Sequence, residues 1–408
     1  MRIDLVSVQV SPFAEPGDPG WSAQAVQVGE LADALAGAGH EVTVLARRDD
    51  PSRPSTVSPR PGLTVRHLDA GPPSPLPGER LVAAVPELAR QLDEHWRADR
   101  PDVVHAHHWT SGLAAGAAAH AIPRVQTFHG LSRPGSGPAG RAPAEQAVAR
   151  SADRVVALSE DELSALLQRG APRARLRVVP AGIDTEIWRP DGPSLRRADR
   201  PRIVSLGSVA PGGGTDEVIQ ALRAVPDAEL FVAGGPAPER AADDPDLARL
   251  HAAAARNGVA KRVRFLGAVS RADVPRLLRS ADVLASTPPR ESSGTAALEA
   301  MACGRAVVAT AVGGLRDTVV DQVTGVHVLP GRPSELAAAL REVIGDAGTV
   351  TAFGIAGRDR ASSRYARSRI VEAMTEVYRE AISTTVVSTT PVSTAVVDDG
   401  EDTVAASV

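Results

Sequence analysis

Two glutamates, Glu291 and Glu299, stand eight residues apart on either side of Gly294, in Arg290-Glu-Ser-Ser-Gly-Thr-Ala-Ala-Leu-Glu299. The apolar segment 281–286 before them predicts a strand, Gly294 a turn, and 295–302 a helix. Glycine admits close approach of a ligand, and N–H groups freed at a helix start attract phosphate. A carboxylate ahead of the turn accepts hydrogen bonds from hydroxyls, and a second, one turn into the helix, does so nearby. The set suits a ligand with an anionic centre flanked by hydroxyls, such as a nucleotide-sugar. The same residues also fit an ordinary helix N-terminus with acidic side chains favoured by the macrodipole, so the rest of the chain has to discriminate.

The other clusters offer less chemistry. His105, His107 and His108 close an apolar run, and in a strand His105 and His107 share a face. They lack the further ligands of a zinc site, so a strand end lining a cleft is expected. The pairs Asp49-Asp50 and Asp243-Asp244 read as solvated turns. A single cysteine, Cys303, excludes an internal disulfide framework and reads as buried filler. Lys261 is the only lysine, leaving 44 arginines of 45 basic residues. It lies in a polar turn, a poor place for a cofactor imine, and no phosphate loop of the Gly-Lys-Ser/Thr type occurs. A net charge of −4 gives no reason to expect nucleic acid. No apolar run is long enough to span a bilayer, and Asp4 within an opening strand argues against a signal peptide, so the cytoplasm is the expected compartment.

At 408 residues the chain exceeds what one core usually supports. Short apolar runs alternate with helical-period segments, the pattern of parallel sheets covered on both faces. Strands are expected at 3–8, 42–46, 65–68, 103–106, 124–128, 155–157 and 177–179, then at 203–206, 229–233, 263–266, 283–286, 306–309 and 326–329. Helices are expected near 26–38, 81–97, 112–120, 144–150, 161–169, 216–224, 246–257, 272–279, 295–302 and 334–344, with a capping box at Ser159 and Glu162. The expected organisation is an α/β pair of doubly wound Rossmann-like domains, 1–190 and 191–366, facing across a cleft, then a helix over 367–382 and a disordered tail over 383–408. The proline-rich stretch 51–61 reads as a surface loop.

With these residues in place, the chain resembles the retaining GT-B glycosyltransferases of family 4, near the branch with sucrose-phosphate-synthase-like and inositol-phosphate-glycosylating enzymes. The resemblance runs over about 1–380 and rests on segment 31–44, Pro101-Asp-Val-Val-His-Ala-His107, Gln126-Thr-Phe-His129, Val178-Val-Pro-Ala-Gly-Ile-Asp184, Val232-Ala-Gly-Gly235, Ala311-Val-Gly-Gly314 and the glutamate pair. It implies transfer of a sugar from a nucleoside-diphosphate sugar to an acceptor hydroxyl, with retention and without metal or organic cofactor. It further implies that Glu291 holds donor-sugar hydroxyls, Glu299 the ribose, Gly294, Thr295 and Ala296 the diphosphate, and His129 the sugar from the opposite domain. Ser22, Ala23, His107 and Arg133 fall on the acceptor side.

The departures fall on the phosphate clamp. Where the family places arginine after a strand-ending glycine and lysine five residues on, this chain has Gly207 followed by Ser208, then Gly213. The paired glycines of the first loop are replaced by Ser22 and Ala23. A transferase would then draw charge from elsewhere: Arg290 on the donor side, or Arg133 and Arg141 in the loop after His129, which would also suit an anionic acceptor. Two alternatives are a catalytically degenerate GT-B subunit and a nucleotide-sugar epimerase of the same fold.

Overall fold

The computed structural model describes residues 1–9, 11–12, 22–76, 78–118, 122–132, 138, 140–197 and 199–389. Two sheets form the frame. The first contains β1 (Arg2–Ser7), β2 (Glu41–Arg47), β3 (Thr56–Arg60), β4 (Leu63–Leu68), β5 (Val103–His107), β6 (Arg124–Thr127), β7 (Arg154–Ala157) and β8 (Leu176–Val178), in the order β3-β4-β2-β1-β5-β6-β7-β8. The second contains β9 (Arg202–Leu206), β10 (Glu229–Ala233), β11 (Val263–Gly267), β12 (Val283–Ser286), β13 (Ala306–Thr310) and β14 (Gly325–Val328), in the order β11-β10-β9-β12-β13-β14. Among the described strands only β3 runs antiparallel to its neighbour. Strand order reverses at β1/β5 and at β9/β12, and at such switch points the loops diverge and open a crevice beyond the carboxyl ends of the strands.

The sequence explains the sheets directly. Ile203, Val204, Val283, Leu284, Val307 and Val308 are fully buried, since helices cover both faces and leave no polar side. The chain then recrosses. In the helix Arg367–Thr389, Ile370, Met374, Val377 and Tyr378 join Ile3, Leu5 and Val103 in the core of the first sheet. This helix continues past 382, so Ser383–Thr389 are helical rather than part of a tail; the remainder of the expected tail, 390–408, lies outside the described residues.

Three further expectations need correction. The helix at 81–97 is two, Gly78–Ala83 and Val85–Ala98, because Pro86 cannot donate to the preceding turn and instead opens the second helix. Part of the proline-rich stretch forms β3, an edge strand that tolerates Pro59. An unforeseen helix, Ala347–Arg364, packs on the helix Thr295–Ala302. Its glycines allow this contact, with Gly357 against Met301, and deprive it of a readable apolar period.

Candidate active site

The turn after β12 is built around its own carboxylate. Glu291 Oε1 accepts from the N–H groups of Ser293 (3.1 Å) and Gly294 (3.3 Å) and from Ser293 Oγ (3.2 Å). Gly294 adopts φ 69°, and a Cβ there would stand 2.8 Å from Thr318 Oγ1 and 2.9 Å from the Gly314 carbonyl oxygen. Only glycine fits without displacement, and it opens the helix Thr295–Ala302. On that helix Glu299 is buried. Burial pushes its carboxyl up to about 7 against the opposing pull of Arg271, with Glu30 adding to the rise. Arg271 bonds Glu299 Oε1 at 2.6 Å and Glu30 Oε1, from the first lobe, at 2.6 Å.

Glu299, Thr295, Ala296 and Arg271 line a pocket together with Gly207, after β9, and Gly234, after β10. Neither Ser208 nor Gly213 belongs to its lining. Ser208 Oγ accepts from its own loop, at Ala210 N (3.2 Å), and Gly213 N donates to the Ala210 carbonyl (2.9 Å). A Cβ at Gly213 would stand 2.0 Å from the Ser208 carbonyl oxygen, so this loop has no room for a lysine there.

The first lobe meets this wall through the helix Ala23–Gly37. Ser22 caps it, its Oγ accepting from Ala25 N at 3.2 Å, and Ser22 and Ala23 border a cavity with Gln27, His129 and Ser292. Gln27 Nε2 donates to Ser293 Oγ (2.6 Å) and Thr295 Oγ1 (3.0 Å), which leaves Oε1 to accept from His129 Nδ1–H (3.1 Å). His129 Nε2 then accepts from His107 Nδ1–H at 2.9 Å. Burial holds His129 at about 3 and pushes His107 well below the usual histidine range, so both are neutral near pH 7. A line of hydrogen bonds thus crosses the cleft from the end of β5 to the start of the second lobe's helix.

Beyond His129 a wider cavity holds Arg290, Glu291 and Gly313 opposite Arg141, Asp161 and Arg169. Arg290 is exposed and, among the described residues, makes no hydrogen bond or ion pair. Arg141 is committed to buried Glu145 (2.7 Å) and the Gly130 carbonyl (3.0 Å), and Arg169 shares Glu145. Arg133 lies outside the described residues. In the capping box, Ser159 Oγ does accept from Glu162 N, but the Glu162 carboxylate goes to Leu158 N (2.7 Å) and Gly130 N (3.1 Å), tying down the loop after His129. Among the described residues no group suited to hold a metal occurs. His105 instead bonds Tyr378 and Thr127 (2.9 Å each).

Sequence reasoning missed Gln27, Glu30, Asp161 and Arg271. Asp161 accepts from Gly313 N (2.8 Å) and pairs with Arg316 (3.1 Å), across the cleft. All four act between lobes. Their only signal in the sequence is that Gln27 and Glu30, three apart, share the helix face that carries Ala23.

The Glycosyltransferase Family 4 pattern matches residues 24–187 and the Glycosyl transferases group 1 pattern residues 187–360. A D-inositol 3-phosphate glycosyltransferase of Xylanimonas cellulosilytica is 35% identical, across 93% of this chain and 97% of that protein. One from Kineococcus radiotolerans is 34% identical, across 93% and 95%. Sucrose-phosphate synthase from Thermosynechococcus elongatus superposes with a TM-score of 0.86 at 27% identity, over 94% of this chain and 99% of its own. Anabaena HepE in complex with UDP and glucose shares the fold, with a TM-score of 0.74 at 21% identity over 92% and 99%. These likenesses favour a transferase over the silent-subunit and epimerase alternatives. Among the described residues no helix is long and apolar enough to cross a membrane.

Proposed function

The chain belongs to family 4 of the glycosyltransferases, and on that premise we propose that it moves a sugar from a nucleoside-diphosphate sugar to an acceptor hydroxyl with retention of configuration, using no metal or organic cofactor. One observation carries the reading: Glu299, Thr295 and Ala296 share a single pocket with the glycine ends of β9 and β10. In it Glu299 accepts from ribose hydroxyls, and the N–H groups at Thr295 and Ala296 face the diphosphate. Glu291 spends Oε1 on its own turn and offers Oε2 to the sugar. His129 borders the cavity as a neutral imidazole whose two ring nitrogens are taken by Gln27 and His107, and it meets the sugar as a wall of the site.

Retention suits a site in which His129 Nδ1–H already donates to Gln27 and Nε2 already accepts from His107, so that no imidazole nitrogen is free to take the acceptor's proton. The departing diphosphate oxygen takes the proton as the acceptor oxygen bonds the anomeric carbon and the carbon–phosphate-oxygen bond breaks, all on one face. Charge on the leaving group is met by the helix start and by Arg290, in place of the family's arginine and lysine, at whose positions this chain has Ser208 and Gly213. An anionic acceptor, such as the inositol phosphate in the relatives' name, would find neither Arg141 nor Arg169 free, because both already bind Glu145.

The test is a thermal-shift screen of UDP, GDP, ADP and dTDP sugars, followed by NMR of the product's anomeric centre. Stabilisation by one donor and a retained anomer are expected. No shift with any donor, or an inverted anomer, overturns the reading.

A further inference from the structure

Arg271 lies between β11 and the helix Val274–Arg279, and its guanidinium forks between the lobes. One arm reaches Glu299 and the other Glu30, at 2.6 Å each, while the group rests 4.7 Å from the ring centre of buried Trp188. Burial works against its charge, but Glu299 and Glu30 outweigh that and raise its proton affinity. Glu299 lines the pocket beside Gly207 and Thr295; Glu30 does not. Glu30 stands on the first lobe's helix three residues from Gln27, which grips Ser293 and Thr295. One face of that helix therefore holds the second lobe's helix at its start, through Gln27, and one turn in, through Arg271.

We propose that Arg271 is the positioning residue that links lobe closure to an occupied donor pocket, presenting Glu299 to the ribose with one arm and drawing Glu30 with the other. The inference rests on the ribose role of Glu299 given above. Ribose hydroxyls donating to Glu299 hold that carboxylate ionised and oriented; an oriented carboxylate fixes the guanidinium plane, and the plane aims the second arm at Glu30. A contact made only when the lobes meet adds to the affinity of any ligand that favours their meeting, even if it never touches that ligand. Glu30 thus strengthens donor binding from outside the pocket. Lysine keeps a charge for Glu299 but lacks the fork.

The probe is whichever of UDP, GDP, ADP and dTDP stabilises the wild type most; its affinity is measured by calorimetry, and the radius of gyration by X-ray scattering with and without it. Wild type should contract on binding. Glu30→Gln, a partly exposed position, should bind about 2–5-fold more weakly and contract less, as expected for losing one half-exposed ion pair, and Glu30→Asp should recover part of the loss. Arg271→Lys should keep affinity within about tenfold yet lose the contraction, since one charge-assisted bond survives and the other does not. Adding Glu30→Gln to Arg271→Lys should cost little more, because both remove one contact. If the wild type binds none of the four, the donor-pocket reading falls and this inference with it. If the wild type binds and contracts while Glu30→Gln matches it in both, or the two losses simply add, the inference alone falls.

Discussion

Two loops end neighbouring strands of the same sheet, one after β9 over 207–214 and one after β12 over 287–294, and they manage charge in opposite ways. The second keeps its side chains: Glu291 closes the turn, and Glu299, one helical turn on, faces the pocket. The first has given them up, folding Gly213 so tightly on Ser208 that no side chain fits. On the proposed reading, binding charge need not stay where a family usually puts it. Arg271 and Arg290, on other segments, border the two cavities, and of the glycine loop only Gly207 lines either one.

The sharpest way to break this contrast is Gly213→Lys, which restores the family's residue. With a Cβ 2.0 Å from a carbonyl oxygen the loop must move, so we expect a loss of about 2–4 kcal/mol in denaturant unfolding and no gain in donor affinity. A stable variant that binds better would mean the loop readily adopts the usual clamp. Glu299→Ala comes next: removing a charged hydrogen-bonding group should weaken donor binding on the order of a hundredfold and abolish the donor's thermal shift.

Glu299 also makes a pH prediction with a definite sign. Its folded value, about 7, lies above the usual 4.5, so the folded state holds the extra proton between them. Stability from this group is present below about 4.5 and is lost as pH rises through about 7. Glu299→Gln lacks this dependence, so its melting temperature should gain on the wild type as pH goes from 5 to 8. Donor affinity of the wild type should move the other way, since the ionised form receives the ribose. A constant melting difference would place the carboxyl lower. Arg290→Ala should cost about tenfold in donor affinity, the worth of one charge-assisted bond, and unchanged affinity would remove it as the substitute cation. Smallest is Ser22→Ala, which loses the cap on Ala25 N and about 1 kcal/mol of stability with little effect on donor binding.

Much of the second lobe was readable in advance. The strands expected at 203–206, 229–233 and 283–286 are found at Arg202–Leu206, Glu229–Ala233 and Val283–Ser286, because a strand buried on both faces must be apolar throughout. Where burial is partial or packing runs through glycine, the signal fails. β3 is exposed along its whole length, and the helix Ala347–Arg364 shows little apolar bias.

The turn at Gly294 and the helix that carries Glu299 were legible through spacing, since a turn and the helix that follows it are local and one stretch of chain carries both. The doubly wound architecture was too, through its alternation of apolar and helical runs. Gln27, Glu30, Asp161 and Arg271 were not. Each has a partner at least 102 residues away, as between Gln27 and His129, and up to 268, as between Gln27 and Thr295, although Arg271 also holds Glu299, 28 residues on. Hydrogen bonds and ion pairs act over a few ångströms, so only the folded lobes, brought edge to edge, determine which polar residue meets which.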